Sequence, residues 1–249
     1  MTERVGALLL AIGPAPEAAS DGPWARLRGR PVLSWTLRTL AYSPLISRVA
    51  LVVSDQLSRA RRLAAGLDSV AVLRAGAYRA GLAAGLGELA DCGWLVLHDT
   101  ARPLVDDRLL RRGLQAAGAT GAAVAVLEAG ETVKRVADGA VSETLPRHEL
   151  RSVQSPLILR SQLLRSALND HEIDLCDLAG LLAHLAGRLA IFDGSPDNRK
   201  PAAPSDLEVP KRLPASERTI PRRAPLPPNF GRSELTTPRG QGGRRRAAR

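Results

Sequence analysis

The run Trp94-Leu95-Val96-Leu97 is apolar without a polar break and stops abruptly at His98-Asp99. A strand with that pattern is buried on both faces, which requires a parallel sheet covered by helices on each side. In open α/β sheets, ligands lie beyond the carboxyl ends of the strands. Asp99, followed by Arg102-Pro103, stands at such an end. A carboxylate there can hold a divalent cation, and a guanidinium beside it can meet anionic oxygens. The ordinary alternative is an Asp that caps the next segment, with Arg102 solvated. What the other strand ends carry decides between the two.

The flanking sequence repeats the same grammar. Val5–Ile12, Ile46–Val53, Val70–Leu73, Gly93–Leu97 and Ala122–Leu127 read as short buried strands. Between them, Val32–Ala41, Ser58–Leu67, Arg79–Ala90 and Arg108–Ala117 read as helices; in the first, Leu33, Leu37 and Leu40 share one face. Strands alternating with helices predict a mainly parallel sheet in a three-layer α/β domain. Beyond Glu128 the pattern changes. Thr132 to Val136 and Ala140 to Ser142 alternate around Asp138-Gly139, a strong hairpin signal. This predicts a β-arm over about residues 130–154. Ser161–Leu168 and Asp177–Gly187 read as helices, and Leu189–Phe192 as a last strand.

Charge locates the end of the domain. The 249 residues carry a net charge of +10. Residues 208–249 hold eleven Lys and Arg against three Asp and Glu, a net of +8, and seven of the 18 prolines. Residues 1–207 therefore carry only +2. With no apolar periodicity, 208–249 is expected to be a disordered basic tail, and any contact with nucleic acid is expected only through it. Two cysteines suggest no disulfide framework, and no apolar run is long enough for a bilayer. A cytoplasmic protein without membrane contact is the expectation.

Four pieces in order carry a family resemblance: His98-Asp99-Thr100-Ala101-Arg102-Pro103, Glu131-Thr132-Val133-Lys134-Arg135, Arg147 with Gln154-Ser155-Pro156, and Asp197-Asn198-Arg199-Lys200. Over residues 5–207 the chain resembles the 2-C-methyl-D-erythritol 4-phosphate cytidylyltransferases of the non-mevalonate isoprenoid pathway. Lysine usage agrees. Of 35 basic residues only Lys134, Lys200 and Lys211 are lysine, and the two within residues 1–207 fall in these motifs. Lysine is a compact point charge well suited to phosphate, and arginine is not an equivalent replacement.

The resemblance implies a Rossmann-like nucleotidyltransferase fold. It also implies transfer of CMP from CTP to a sugar-alcohol phosphate, with release of pyrophosphate. Lys200 and Asp99 become candidate catalytic residues. Gly13, Ala15, Gly81, Asp99 and Arg102 become candidates for nucleotide binding. Asp99 and Asp177 become candidate Mg²⁺ ligands, and Thr132 and Arg147 candidates for the second substrate's phosphate. The family's arm reaches into a partner subunit, so a homodimer is implied. Read singly, Thr132 is also an ordinary strand residue, Arg147 a surface charge and Lys200 a loop charge.

The chain departs from the family pattern at several positions. In the first loop Ala15 stands for a glycine, Glu17 for an arginine, and Trp24, after Pro23, for a lysine. Pro14 and Pro16 offer no amide hydrogen to a phosphate. Tyr78-Arg79-Ala80-Gly81-Leu82 stands where an Arg-x-x-Ser-Val is expected, and Cys176 where the second metal aspartate is expected, with Asp177 beside it. Two readings follow: a diverged cytidylyltransferase of reduced activity, or a non-catalytic relative that keeps the fold and acts by binding.

Overall fold

The computed structural model describes residues 3–12 and 22–200. Gly13, Ala15, Glu17 and the tail from residue 208 lie outside the described residues. In chain order the strands are β1 Val5–Ala11, β2 Arg26–Leu27, β3 Arg30–Pro31, β4 Arg48–Val53, β5 Val70–Arg74, β6 Trp94–Asp99, β7 Ala122–Glu128, β8 Lys134–Ala137, β9 Ala140–Thr144, β10 Arg151–Arg160 and β11 Leu189–Asp193. The helices are α1 Val32–Tyr42, α2 Leu57–Ala64, α3 Tyr78–Glu88, α4 Asp107–Thr120, α5 Ser161–Asn169 and α6 Leu178–His184.

Seven strands form one sheet in the order β11-β7-β10-β6-β1-β4-β5. β1 pairs in parallel with both β4 and β6, β4 with β5, and β7 with β11. Leaving β1, the chain winds outward to β4 and β5 and then returns to β6 on the other side of β1. The strand order therefore reverses between β1 and β6, and a crevice opens there at the carboxyl ends. Leu10 lies opposite Asp99 in that register, so the end of β6 is beside the end of β1.

Helices cover both faces, as the apolar runs require. Trp94 and Val96 of β6 face Leu33, Leu37 and Leu40 of α1, Ala60 of α2 and Leu109, Leu110 and Leu114 of α4. Leu95 and Leu97 face Leu82 and Leu86 of α3, Leu164 of α5 and Leu181 of α6. Burial of each leucine or valine among them contributes about 1.5–3 kcal/mol. On α3, Gly81 and Gly85 lie one turn apart against β1. A Cβ on Gly85 would come within 2.2 Å of Leu8 Cδ1, so this helix rests directly on the strand.

The sequence reading misses β10, a ten-residue antiparallel strand between β6 and β7 in the middle of the sheet. A proline at 156 argues against a central strand, because proline cannot donate to the ladder. The register shifts between Gln154 and Leu157, so Pro156 sits in a bulge where no ladder bond is required. The expected loop before Pro31 also contains the small β2–β3 hairpin. The helix expected over Asp177–Gly187 is the seven-residue α6, with Asp177 as its N-cap. The expected hairpin forms, with β8 and β9 paired around Asp138-Gly139, both at positive φ, whereas residues 151–154, counted with the arm in the sequence, pair with β7 in the main sheet.

Candidate active site at the carboxyl end of β6

Asp99 closes β6 and shapes the turn that follows. Its Oδ1 accepts from Ala101 N at 2.8 Å, and its backbone oxygen accepts from Arg102 N at 3.1 Å. Short side chains that accept from the backbone two residues on fix such turns. From the other layer, Thr36 Oγ1 donates to Thr100 O at 3.1 Å. Asp99 Oδ2 is left to face two cations, Lys200 Nζ at 3.3 Å and Arg102 Nε at 4.0 Å. The Asp99 side chain is 28% exposed and that of Lys200 53%. An ion pair this wet adds little stability. Lys200 is therefore free to exchange Asp99 for an incoming anion.

Behind Asp99 lies a buried polar network. Asp99 N donates to Ser155 Oγ at 3.0 Å, and Ser155 Oγ lies 3.0 Å from His98 Nδ1. His98 Nε2 lies 3.0 Å from the carbonyl oxygen of Arg102. A carbonyl only accepts, so Nε2 carries the hydrogen; Nδ1 then accepts from the Ser155 hydroxyl. This assigns a neutral imidazole. Burial agrees, holding the His98 pKa well below the usual imidazole value. Asn198 joins the network with Nδ2 donating to Ser155 O at 2.7 Å, and Arg102 Nη1 donates to Asn198 O at 2.7 Å.

Tyr78 opens α3 three residues before Gly81, on the helix face turned toward the end of β1. Burial pushes its phenol pKa up, and the carboxylates of Asp177 and Asp99 push it further. Tyr78 is thus a neutral O–H donor that feels the charge of both candidate metal ligands. Asp177 Oδ1 meanwhile accepts from Gly180 N at 3.0 Å as the α6 cap. No group of three His, Cys, Asp or Glu able to hold a metal occurs among the described residues.

The remaining sequence candidates sit elsewhere. Gly81 is buried against β1; a Cβ there would lie 2.3 Å from Ile12 Cδ1. That makes it a packing position with no side chain to offer a nucleotide. Arg79 donates to the carbonyl oxygens of Leu168, Asp170 and Ile173, finishing α5. Trp24 carries the Arg59 guanidinium over its ring at 4.6 Å. Thr132 and Arg147 are exposed on or beside the β-arm. Neither has a hydrogen bond or ion pair to Asp99, Arg102 or Lys200 among the described residues. Sequence reasoning assigns no role to His98, Gln154 or Ser155, although all three stand inside the quoted motifs. Their polarity within or beside apolar strands is the signal that could have found them.

Residues 7–212 match the family profile described as IspD, 2-C-methyl-D-erythritol 4-phosphate cytidylyltransferase. A 2-C-methyl-D-erythritol 4-phosphate cytidylyltransferase of Dehalococcoides mccartyi (strain ATCC BAA-2266 / KCTC 15142 / 195) is 38% identical over 214 residues, 83% of this chain and 94% of that protein. A bifunctional enzyme IspD/IspF of Rhodopseudomonas palustris (strain HaA2) is 34% identical over 215 residues, 82% of this chain and 54% of its own length. Among solved structures, the crystal structure of the 2-C-methyl-D-erythritol 4-phosphate cytidylyltransferase from Thermus thermophilus superposes with a TM-score of 0.63 at 28% identity, covering 83% of this chain and 96% of that one.

Proposed function

The chain belongs to the 2-C-methyl-D-erythritol 4-phosphate cytidylyltransferase family, and from that premise we propose how its own residues carry the reaction. It is a CTP-dependent cytidylyltransferase of the non-mevalonate isoprenoid pathway. An oxygen of the methylerythritol phosphate attacks the α-phosphorus of CTP. The new P–O bond forms as the bond to the β-phosphate breaks, and pyrophosphate leaves. Nothing among the relatives favours the non-catalytic reading that Glu17 and Trp24 raise.

The observation that carries the site assignment is the Asp99–Lys200 pair in the crevice between β1 and β6. Transfer of this kind depends on positioning and on neutralising charge in the transition state. In this reading Lys200 leaves Asp99 for the phosphates of CTP, and Arg102 supplies a second cation at the crevice. Carboxylates suit Mg²⁺, which keeps several waters and is held by one or two carboxylates plus substrate phosphates. Asp99, whose Oδ2 faces the cations of the crevice, and Asp177 are the carboxylates that would hold it. Mg²⁺ bound there would supply Lewis-acid polarisation of the phosphoryl oxygens.

The second substrate's phosphate is assigned to Thr132 and Arg147 of the β-arm, in a homodimer whose arms exchange. The exposure of Val136 and Val141, 61% and 62%, supports this. A lone two-stranded hairpin is marginal in water and gains from packing on something. The test is pyrophosphate release from CTP, with and without methylerythritol phosphate. Release that requires the acceptor, at ~1–10³ s⁻¹, is expected. Release no faster than the uncatalysed background with both substrates present would refute it. Glu17→Arg with Trp24→Lys then measures how far the first loop limits the rate.

A further inference from the structure

We propose that Asn198 is a positioning residue for the transfer. It fixes the backbone from which Lys200 reaches Asp99, with Ser155 as the anchor common to both sides. The proposal rests on the reading of Lys200 as the cation at the transferred phosphate.

Asn198 is fully buried, while Asp197, Arg199 and Lys200 around it are exposed. A lone buried asparagine in an exposed segment is held by its bonds, and here each is visible. Its backbone N donates to Ser195 O at 3.0 Å. Its carbonyl oxygen accepts from Arg102 Nη1 at 2.7 Å and from Gln154 Nε2 at 3.3 Å. Its Nδ2 donates to Ser155 O at 2.7 Å. Gln154 grips the same segment at both ends of its amide: Nε2 donates to Ser195 O, and Oε1 accepts from Ser195 N, each at 3.1 Å.

Gln154 and Ser155 belong to β10, beside β6. Ser155 thus holds both partners. Its Oγ takes the N–H of Asp99, and its carbonyl oxygen takes the amide of Asn198. The 3.3 Å separation of Lys200 Nζ from Asp99 Oδ2 is set through that anchor. The ion pair is too exposed to hold the segment itself. The buried bonds, stronger in a low dielectric, do so. Lys200 can therefore turn from Asp99 to a phosphate while its backbone stays in place. The role needs an amide. Nδ2 must donate to a carbonyl, and Oδ1 is buried with no partner among the described residues. A carboxylate would set two acceptors against each other.

The experiment is a double-mutant cycle in the full-length protein, with Asn198→Asp and Lys200→Ala, alone and together, read by pyrophosphate release. Misplacement of about 1 Å can cost ~10²-fold. Asn198→Asp is expected to lower kcat ~10–100-fold on that scale while leaving KM for the acceptor within about twofold. In the Lys200→Ala background the same substitution is expected to change kcat less than about twofold, because acting through Lys200 makes the effects non-additive. Equal losses in both backgrounds, or a loss confined to KM, would overturn the proposal. If Asn198→Asp does not fold, Gln154→Leu, which removes the second grip on the Asn198 carbonyl, is read by the same cycle and the same criteria. Full turnover by Lys200→Ala alone would overturn the reading of Lys200 and this proposal with it. Collapse of Lys200→Ala with an additive cycle overturns this proposal only.

Discussion

The carboxyl end of β6 and the β8–β9 arm are assigned the two halves of one site, yet they are built in opposite ways. At β6 the polar groups are buried or half-buried and bonded to partners far away in sequence: Asp99 to Ser155, Arg102 to Asn198. On the arm every residue of β8 and β9 is exposed, and the polar contacts are local, such as Lys134 Nζ to Thr144 Oγ1 and Arg135 to Glu143. Buried polar groups cost free energy unless paired, so the first region is fixed by the fold that buries it. Exposed pairs cost and contribute little. One half of the site is therefore preorganised within a single chain. The other half has a shape but no support of its own, and the proposed second copy would supply it.

The largest expected effect tests whether the preorganised half does the chemistry. Lys200→Ala should lower kcat ~10²–10³-fold, the usual cost of removing one group aimed at developing charge. A comparable loss from Lys134→Ala, the lysine on the arm, would erase the contrast. Stability comes next. Ser155→Ala leaves His98 Nδ1 and Asp99 N without their partner. Denaturant titration should show a loss of about 1–3 kcal/mol. Thr144→Ala, which removes the partner of Lys134 on the arm, should stay within about 0.5 kcal/mol. Equal costs at the two positions would break the comparison.

Titration sharpens it further. His98 is held neutral by burial, so its folded pKa lies below its unfolded value. Below about pH 6.5 the unfolded chain then binds the extra proton first, and stability falls as pH drops through that window. Above it the contribution is complete. His98→Asn should flatten this part of the stability curve; an unchanged slope would show that the imidazole is not the group responsible. The smallest effect on stability belongs to the arm. Val136→Asp with Val141→Asp should leave thermal stability of the chain within about 0.5 kcal/mol, while sedimentation shifts from dimer to monomer and KM for the acceptor rises. A dimer that survives the double substitution would remove the arm from the proposed interface.

Much of the scaffold is legible in the sequence because it follows from periodicity. Apolar runs reveal the strands that bring β1 and β6 together, and Asp138-Gly139 announces the arm. Motif order locates Asp99, Arg102 and Lys200. One misreading has a clear physical cause. Pro156 conceals β10, since a bulge that exempts a proline from the ladder leaves no local mark. At Gly81 the structure adds what the motif leaves out: the missing side chain lets α3 meet Ile12.

The sequence by itself determined the class of fold, the strand that ends in Asp99, the family and the motif residues, because each depends on neighbours within a few residues or on a shared pattern. Only the tertiary structure decided which of those residues work together. Ser155 meets His98 and Asp99 across 57 and 56 positions, and Gln154 meets Ser195 across 41. Such pairings are enforced by burial beside a central antiparallel strand, and that burial exists only once the sheet has assembled.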